Sequence, residues 1–88
     1  MKDVPYFNQA FGQILRIRRE EASLTQQELA DRIEGVRSYI QFLEYGKQTP
    51  TATTVIVLAE ALGMEPVELF AEAVARMERL EEMDLPSY

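Results

Sequence analysis

The sequence predicts an all-α fold of five helices, and three observations carry that expectation. Apolar residues recur at spacings of three and four along most of the 88 residues, no stretch alternates long enough between turn signals to suggest a strand pair, and helix start and stop signals punctuate the chain. Those signals are a Thr-x-x-Glu capping box at Thr25 and Glu28, a threonine at position 51, a proline at 66, and glycines at 35 and 63.

The first helix is predicted from about Tyr6 to Ala22, with Asp3 or Pro5 near its start and Phe7, Phe11 and Leu15 as its inward stripe. Ser23 and Leu24 break it. The Thr25 hydroxyl can accept from the amide three residues on while Glu28 reaches back, so a second helix starts there and runs to Ile33. Glu34-Gly35-Val36 connects it to the next helix, and Gly35 is the residue expected to take the positive φ of a sharp reversal. The third helix, about Val36 to Tyr45, places Val36, Ile40 and Leu43 on one narrow face and leaves most of its surface exposed. A loop follows from Gly46 to Pro50. Thr51 caps a fourth helix to about Leu62, which buries Val55, Leu58 and either Ala59 or Leu62, and Gly63 ends it. The fifth begins near Glu65-Pro66, where a proline costs no hydrogen bond. Its stripe is Val67, Phe70, Val74 and Met77, continuing to Leu80 and Leu85, which is longer than a compact helical unit requires. Leu85-Pro86-Ser87-Tyr88 reads as a frayed end. Residues 1–70 are therefore taken as the domain proper and 71–88 as an acidic helical extension.

Composition narrows the function. Apolar residues at 47% support one core, and four glycines and four prolines are too few for a loop-rich or disordered chain. The absence of cysteine and histidine removes disulfides, thiolate metal sites, the commonest general base and the commonest zinc ligand, so no enzyme, cofactor or metal is expected. Glu81, Glu82 and Asp84 read as a solvated charge run. Met1-Lys2-Asp3-Val4-Pro5 lacks the pattern of a signal peptide, and no apolar run approaches the roughly 20 residues that span a bilayer, so the cytoplasm is the expected compartment. A net charge of −6 opposes nucleic-acid binding, but it is unevenly spread. Residues 1–50 carry seven Lys/Arg and seven Asp/Glu, whereas 51–88 carry two and eight. The acidic end can face away from DNA.

The motifs point further. Phe11-Gly12 with Arg19, Leu24-Thr25-Gln26-Gln27-Glu28-Leu29-Ala30, Ile40, Leu43-Glu44-Tyr45-Gly46-Lys47, Pro50 and Leu58-Ala59-Glu60-Ala61-Leu62-Gly63 together resemble the Cro and repressor-type (XRE-like, lambda-repressor-like) helix-turn-helix family, over roughly Phe11 to Phe70. Ala30 is small where the second and third helices cross, with Leu29, Ile33, Ile40 and Leu43 around it. The resemblance implies a five-helix repressor-like DNA-binding domain with helices 2 and 3 as the motif and an extended C-terminal helix. It also implies an ion pair between Arg19 and Glu44, and a third helix that enters the major groove.

By position, Arg37, Ser38, Gln41 and Phe42 would then face bases: Arg37 suits guanine, Gln41 adenine, and Phe42 a thymine methyl. Gln26 matches the family's phosphate-contacting position. Thr25, Tyr39, Tyr45 and Lys47 are further backbone contacts. Arg16 and Arg18, which could touch phosphates, are expected rather to be solvated or to pair locally with Glu20 and Glu21. Where the family commonly has Gly-Val-Ser before the third helix, this chain has Glu34-Gly35-Val36, displaced by one and without a side-chain cap. The stripe Phe70, Val74, Met77 and Leu80 either folds back on its own domain or, the favoured reading, pairs with a second chain to make a homodimer matched to a palindromic operator. Tyr39, Phe42 and Tyr45 also suit a protein partner, so an interaction module or an antitoxin that binds operator and toxin remains an alternative.

Overall fold

The computed structural model describes residues 1–85, so Pro86, Ser87 and Tyr88 of the predicted frayed end lie outside it. Within this range the chain is helical, as predicted: α1 (Phe7–Glu21), α2 (Gln26–Arg32), α3 (Arg37–Glu44), α4 (Ala52–Ala61) and α5 (Pro66–Met83). α1 packs along α5 and against α3, α2 lies on α3, and α4 lies on α5. Phe11, Leu15, Leu29, Ile40, Leu43, Leu58 and Leu69 are fully buried where these helices meet. Of the two alternatives on α4, Ala59 is fully buried and Leu62 only partly.

The helix starts follow local chemistry. The Thr25 hydroxyl accepts from the Glu28 amide at 3.0 Å, and the Glu28 carboxylate accepts from the Thr25 amide at 2.9 Å, completing the capping box. The Thr25 backbone N–H, and after it the hydroxyl, holds the Glu28 carboxyl below its ordinary pKa. The box therefore contributes above the usual carboxylate range and is lost as pH falls through that lowered value. The Thr51 hydroxyl caps α4 by accepting from the Thr54 amide at 3.1 Å, and Pro66 opens α5.

The first four helices share one ending. A left-handed residue follows each, at Ser23, Glu34, Gly46 and Gly63, and the next amide bonds back across the last turn. These bonds run from Leu24 to Arg19, Gly35 to Ala30, Lys47 to Phe42 and Met64 to Ala59, at 2.8 to 3.1 Å. The expectation for Gly35 is thus corrected by one residue: Glu34 takes the positive φ, at 55°, and Gly35 supplies the bond to Ala30. A side chain in the left-handed region costs roughly 1–2 kcal/mol, partly offset because glycine loses more chain entropy on folding. Glu34→Gly is accordingly expected to stabilise the protein by about 0.5–1 kcal/mol, read as a rise in thermal midpoint. A fall would mean that the Glu34 side chain makes a contact worth more than the strain.

α5 departs from the sequence reading in register. Its buried residues are Leu69, Ala73 and Leu80, whereas Val67 is 79% and Phe70 49% exposed. The face that packs is set by the fit to α1, where the small Ala73 allows close approach, and not by the most apolar stripe. The helix lies antiparallel to α1 and is tied to it by polar bonds along its length. Arg18 is paired with Glu72, Arg76 donates to Gln13 at 2.6 Å, and the Tyr6 hydroxyl donates to Asp84. Arg18 therefore finds its main partner on α5, with Glu21 more distant at 3.5 Å, while Arg16 pairs with Glu20 at 3.0 Å as expected. The boundary expected between residues 70 and 71 falls inside this unbroken helix.

Candidate nucleic-acid interface

A helix as short as α3 must be held from behind, because eight residues make little more than two turns and would not be stable alone. α3 buries Ile40 and Leu43 and shows the opposite face outward. Arg37, Ser38, Phe42 and Tyr45 are exposed on that side, Phe42 by 46% and Tyr45 by 63%, and Gln41 lies half-buried among them. Arg37, Gln41 and Tyr45 are four residues apart, as are Ser38 and Phe42, so the predicted base-facing residues share one side of the helix. Val36 precedes α3 without a side-chain cap, as the displaced turn implied.

The brace is electrostatic at one end. Arg19 donates to Glu44 through two nitrogens, at 2.6 and 2.9 Å, with the two side chains only 11% and 3% exposed. The same guanidinium donates to the Leu24 carbonyl at 2.8 Å, and the Gln26 amide donates to Glu44 at 3.1 Å. One carboxylate thus joins α1, the start of α2 and the end of α3. The hydrogen bond to Glu44 raises the Arg19 pKa above its ordinary value against the cost of burial, so the guanidinium stays charged. The Arg19–Glu44 pair implied by the sequence is present, and Gln26 and Leu24 are additions that no spacing rule would have supplied.

Close approach completes the brace. A Cβ on Gly12 would collide with the Leu43 carbonyl oxygen and stand 2.7 Å from that of Glu44, so α1 can meet the end of α3 only with glycine there. The signal was available, since a glycine inside a helix is unfavourable unless packing requires it.

The candidate backbone contacts divide by their free valences. Lys47 and Tyr45 are exposed at the end of α3. Thr25 commits its hydroxyl to the cap with Glu28, and Gln26 keeps one N–H beyond its bond to Glu44. Tyr39 is different: it is half-buried against the core, with its hydroxyl 3.1 Å from that of Thr54 on α4. Of the residues expected on a dimer seam, Phe70 is exposed beside Phe7 at 5.8 Å between ring centroids, and Val74 and Met77 are half-buried. Leu80 is 8% exposed within the single chain, covered by its own fold, and so is unavailable to a partner.

The helix-turn-helix family model matches residues 15–69, which contain the whole of α2, the turn, α3 and α4. The chain belongs to the helix-turn-helix family. This helix-turn-helix protein is 44% identical over 54 residues to an uncharacterized HTH-type transcriptional regulator, y4dJ, of Sinorhizobium fredii, covering 61% of this chain and 69% of that one. Its structure is similar to the restriction-modification controller protein C.AhdI from Aeromonas hydrophila, with a TM-score of 0.70 at 34% identity over 74% of this chain and 97% of the other. The clp gene regulator ClgR from Corynebacterium glutamicum shares the fold, with a TM-score of 0.84 at 24% identity over 93% and 87% of the two chains. Family membership makes the helix-turn-helix protein a DNA-binding transcriptional regulator and not an enzyme. No helix among the described residues is long and apolar enough to cross a membrane.

Proposed function

We propose that this regulator binds a twofold-symmetric operator as a homodimer in the cytoplasm, laying α3 of each protomer in the major groove. The observation that supports this best is the rigidly backed α3 with Arg37, Ser38, Gln41 and Phe42 on its outward side. Arg37 reads a guanine through two donors, Gln41 an adenine, and Phe42 packs on a thymine methyl. Gln26, Thr25, Tyr45 and Lys47 hold the phosphates on either side. The dimer surface is the flank of α5 made by the exposed Val67 and Phe70 and the half-buried Val74 and Met77, and a twofold dimer on an operator requires two α3 helices about one DNA turn (~34 Å) apart. The acids concentrated after residue 51 belong to α4, α5 and the segments beside them, outside α2 and α3.

Selection of sites from a random duplex pool tests this, followed by titration of the selected and a scrambled duplex over a range of salt. A twofold motif whose affinity falls steeply with salt is expected. Arg37→Ala should cost about 1–3 kcal/mol on the selected site and relax one position per half-site, whereas Gln26→Ala should weaken both duplexes alike. Equal losses on both duplexes for Arg37→Ala would remove its base-reading role. Failure to recover any motif would redirect the exposed Phe42 and Tyr45 to a protein partner.

A further inference from the structure

We propose that Tyr39 is a positioning residue, which fixes the rotation of α3 about its own axis through a chain of hydroxyls on α4. This rests on the reading that α3 enters the groove. The C-terminal end of α3 is pinned by Glu44, and its middle by Ile40 and Leu43, but its N-terminus has no cap. That N-terminal half carries Arg37 and Ser38. Two buried residues three apart make a narrow ridge, and a two-turn helix held on such a ridge can roll. Tyr39 stands one residue before Ile40, about 100° around the helix, where a tether opposes that roll. Its ring packs against the core, its hydroxyl lies 3.1 Å from that of Thr54, and the Thr54 hydroxyl lies 3.0 Å from that of Thr51, which also caps α4. The tether therefore ends on the capped first turn of α4. Tyr39 acts on base reading through α3, and touches neither base nor phosphate in doing so.

The test compares Tyr39→Phe, Thr54→Val and the double variant, with Thr54→Ser as the rescue that keeps the hydroxyl. Each single variant should lower affinity for the selected duplex roughly three- to tenfold, the worth of one net hydrogen bond, and leave the scrambled duplex unchanged. The double variant should be no worse than either single one, and Thr54→Ser should match the parent. In the free protein, amide hydrogen exchange along α3 should accelerate in both single variants. A loss by Tyr39→Phe that is equal on both duplexes would make it a direct phosphate contact and overturn the proposal. A silent Thr54→Val, or losses that add, would overturn it as well. Unchanged exchange with an intact selected site sinks this inference alone, whereas absence of any selected site sinks the DNA reading and the inference together.

Discussion

Arg19→Ala is expected to destabilise the protein by about 3–5 kcal/mol, a large fraction of the roughly 5–15 kcal/mol that holds a domain of this size together. The loss comes less from the pair's own attraction than from what remains. Glu44 is 3% exposed, and without Arg19 its carboxylate keeps only the Gln26 amide as a partner. The Leu24 carbonyl loses its donor too. Urea unfolding followed by circular dichroism measures the change. A loss below about 1 kcal/mol would place the pair with solvated surface ion pairs and contradict its burial. The double replacement Arg19→Met with Glu44→Leu separates the two contributions. Because it removes both charges and keeps the volume filled, it should recover much of the stability lost by the single variant.

Gly12→Ala carries the second large effect, and there the sign is the informative part. In a helix open to solvent this exchange would stabilise by about 1 kcal/mol, since alanine is the better helix former. At position 12 the added methyl meets the carbonyl oxygens of Leu43 and Glu44, which belong to the backbone of α3 and cannot swing aside. The expected outcome is a net destabilisation of about 1–3 kcal/mol, the range for an overfilled core. A stabilised variant would show that α1 and α3 have room between them. The displacement also moves Leu43 and Glu44, so affinity for a selected duplex should fall beyond what the lost stability alone produces.

Those two residues also mark what the sequence could be read for. Arg19 and Glu44 were visible together because the family resemblance implied their pairing, and the capping box at Thr25 and Glu28 was visible because its geometry is contained within four residues. Gly12 belonged to the same resemblance, yet its reason lay in the distance to another helix, which no local pattern contains. The pairing of Arg18 with Glu72 is hidden in the same way: two charged residues 54 apart in sequence have nearer partners on paper. The register of α5 was misjudged because periodicity ranks faces by how apolar they are, whereas packing chose the face with Ala73 and Leu69 and left Val67 outside. The turn before α3 failed by one residue for a related reason. Glycine is the usual occupant of a left-handed position, but here the chain places Glu34 in it and accepts the strain.

The Glu44 carboxylate, bonded at once to α1 and α2 while sitting on α3, has a consequence for how occupancy of an operator responds to damage. No partly folded form retains a competent α3, because the helix is too short to persist once α1 leaves it. If α3 enters the groove as proposed, folding and DNA recognition thus share one cooperative transition. A substitution in the α1 core that leaves the contact of Gly12 with α3 undisturbed would therefore reduce bound operator by shrinking the folded population, with the affinity of each folded molecule unchanged. Operator DNA would in turn raise the apparent melting temperature in proportion to the logarithm of its concentration over its dissociation constant.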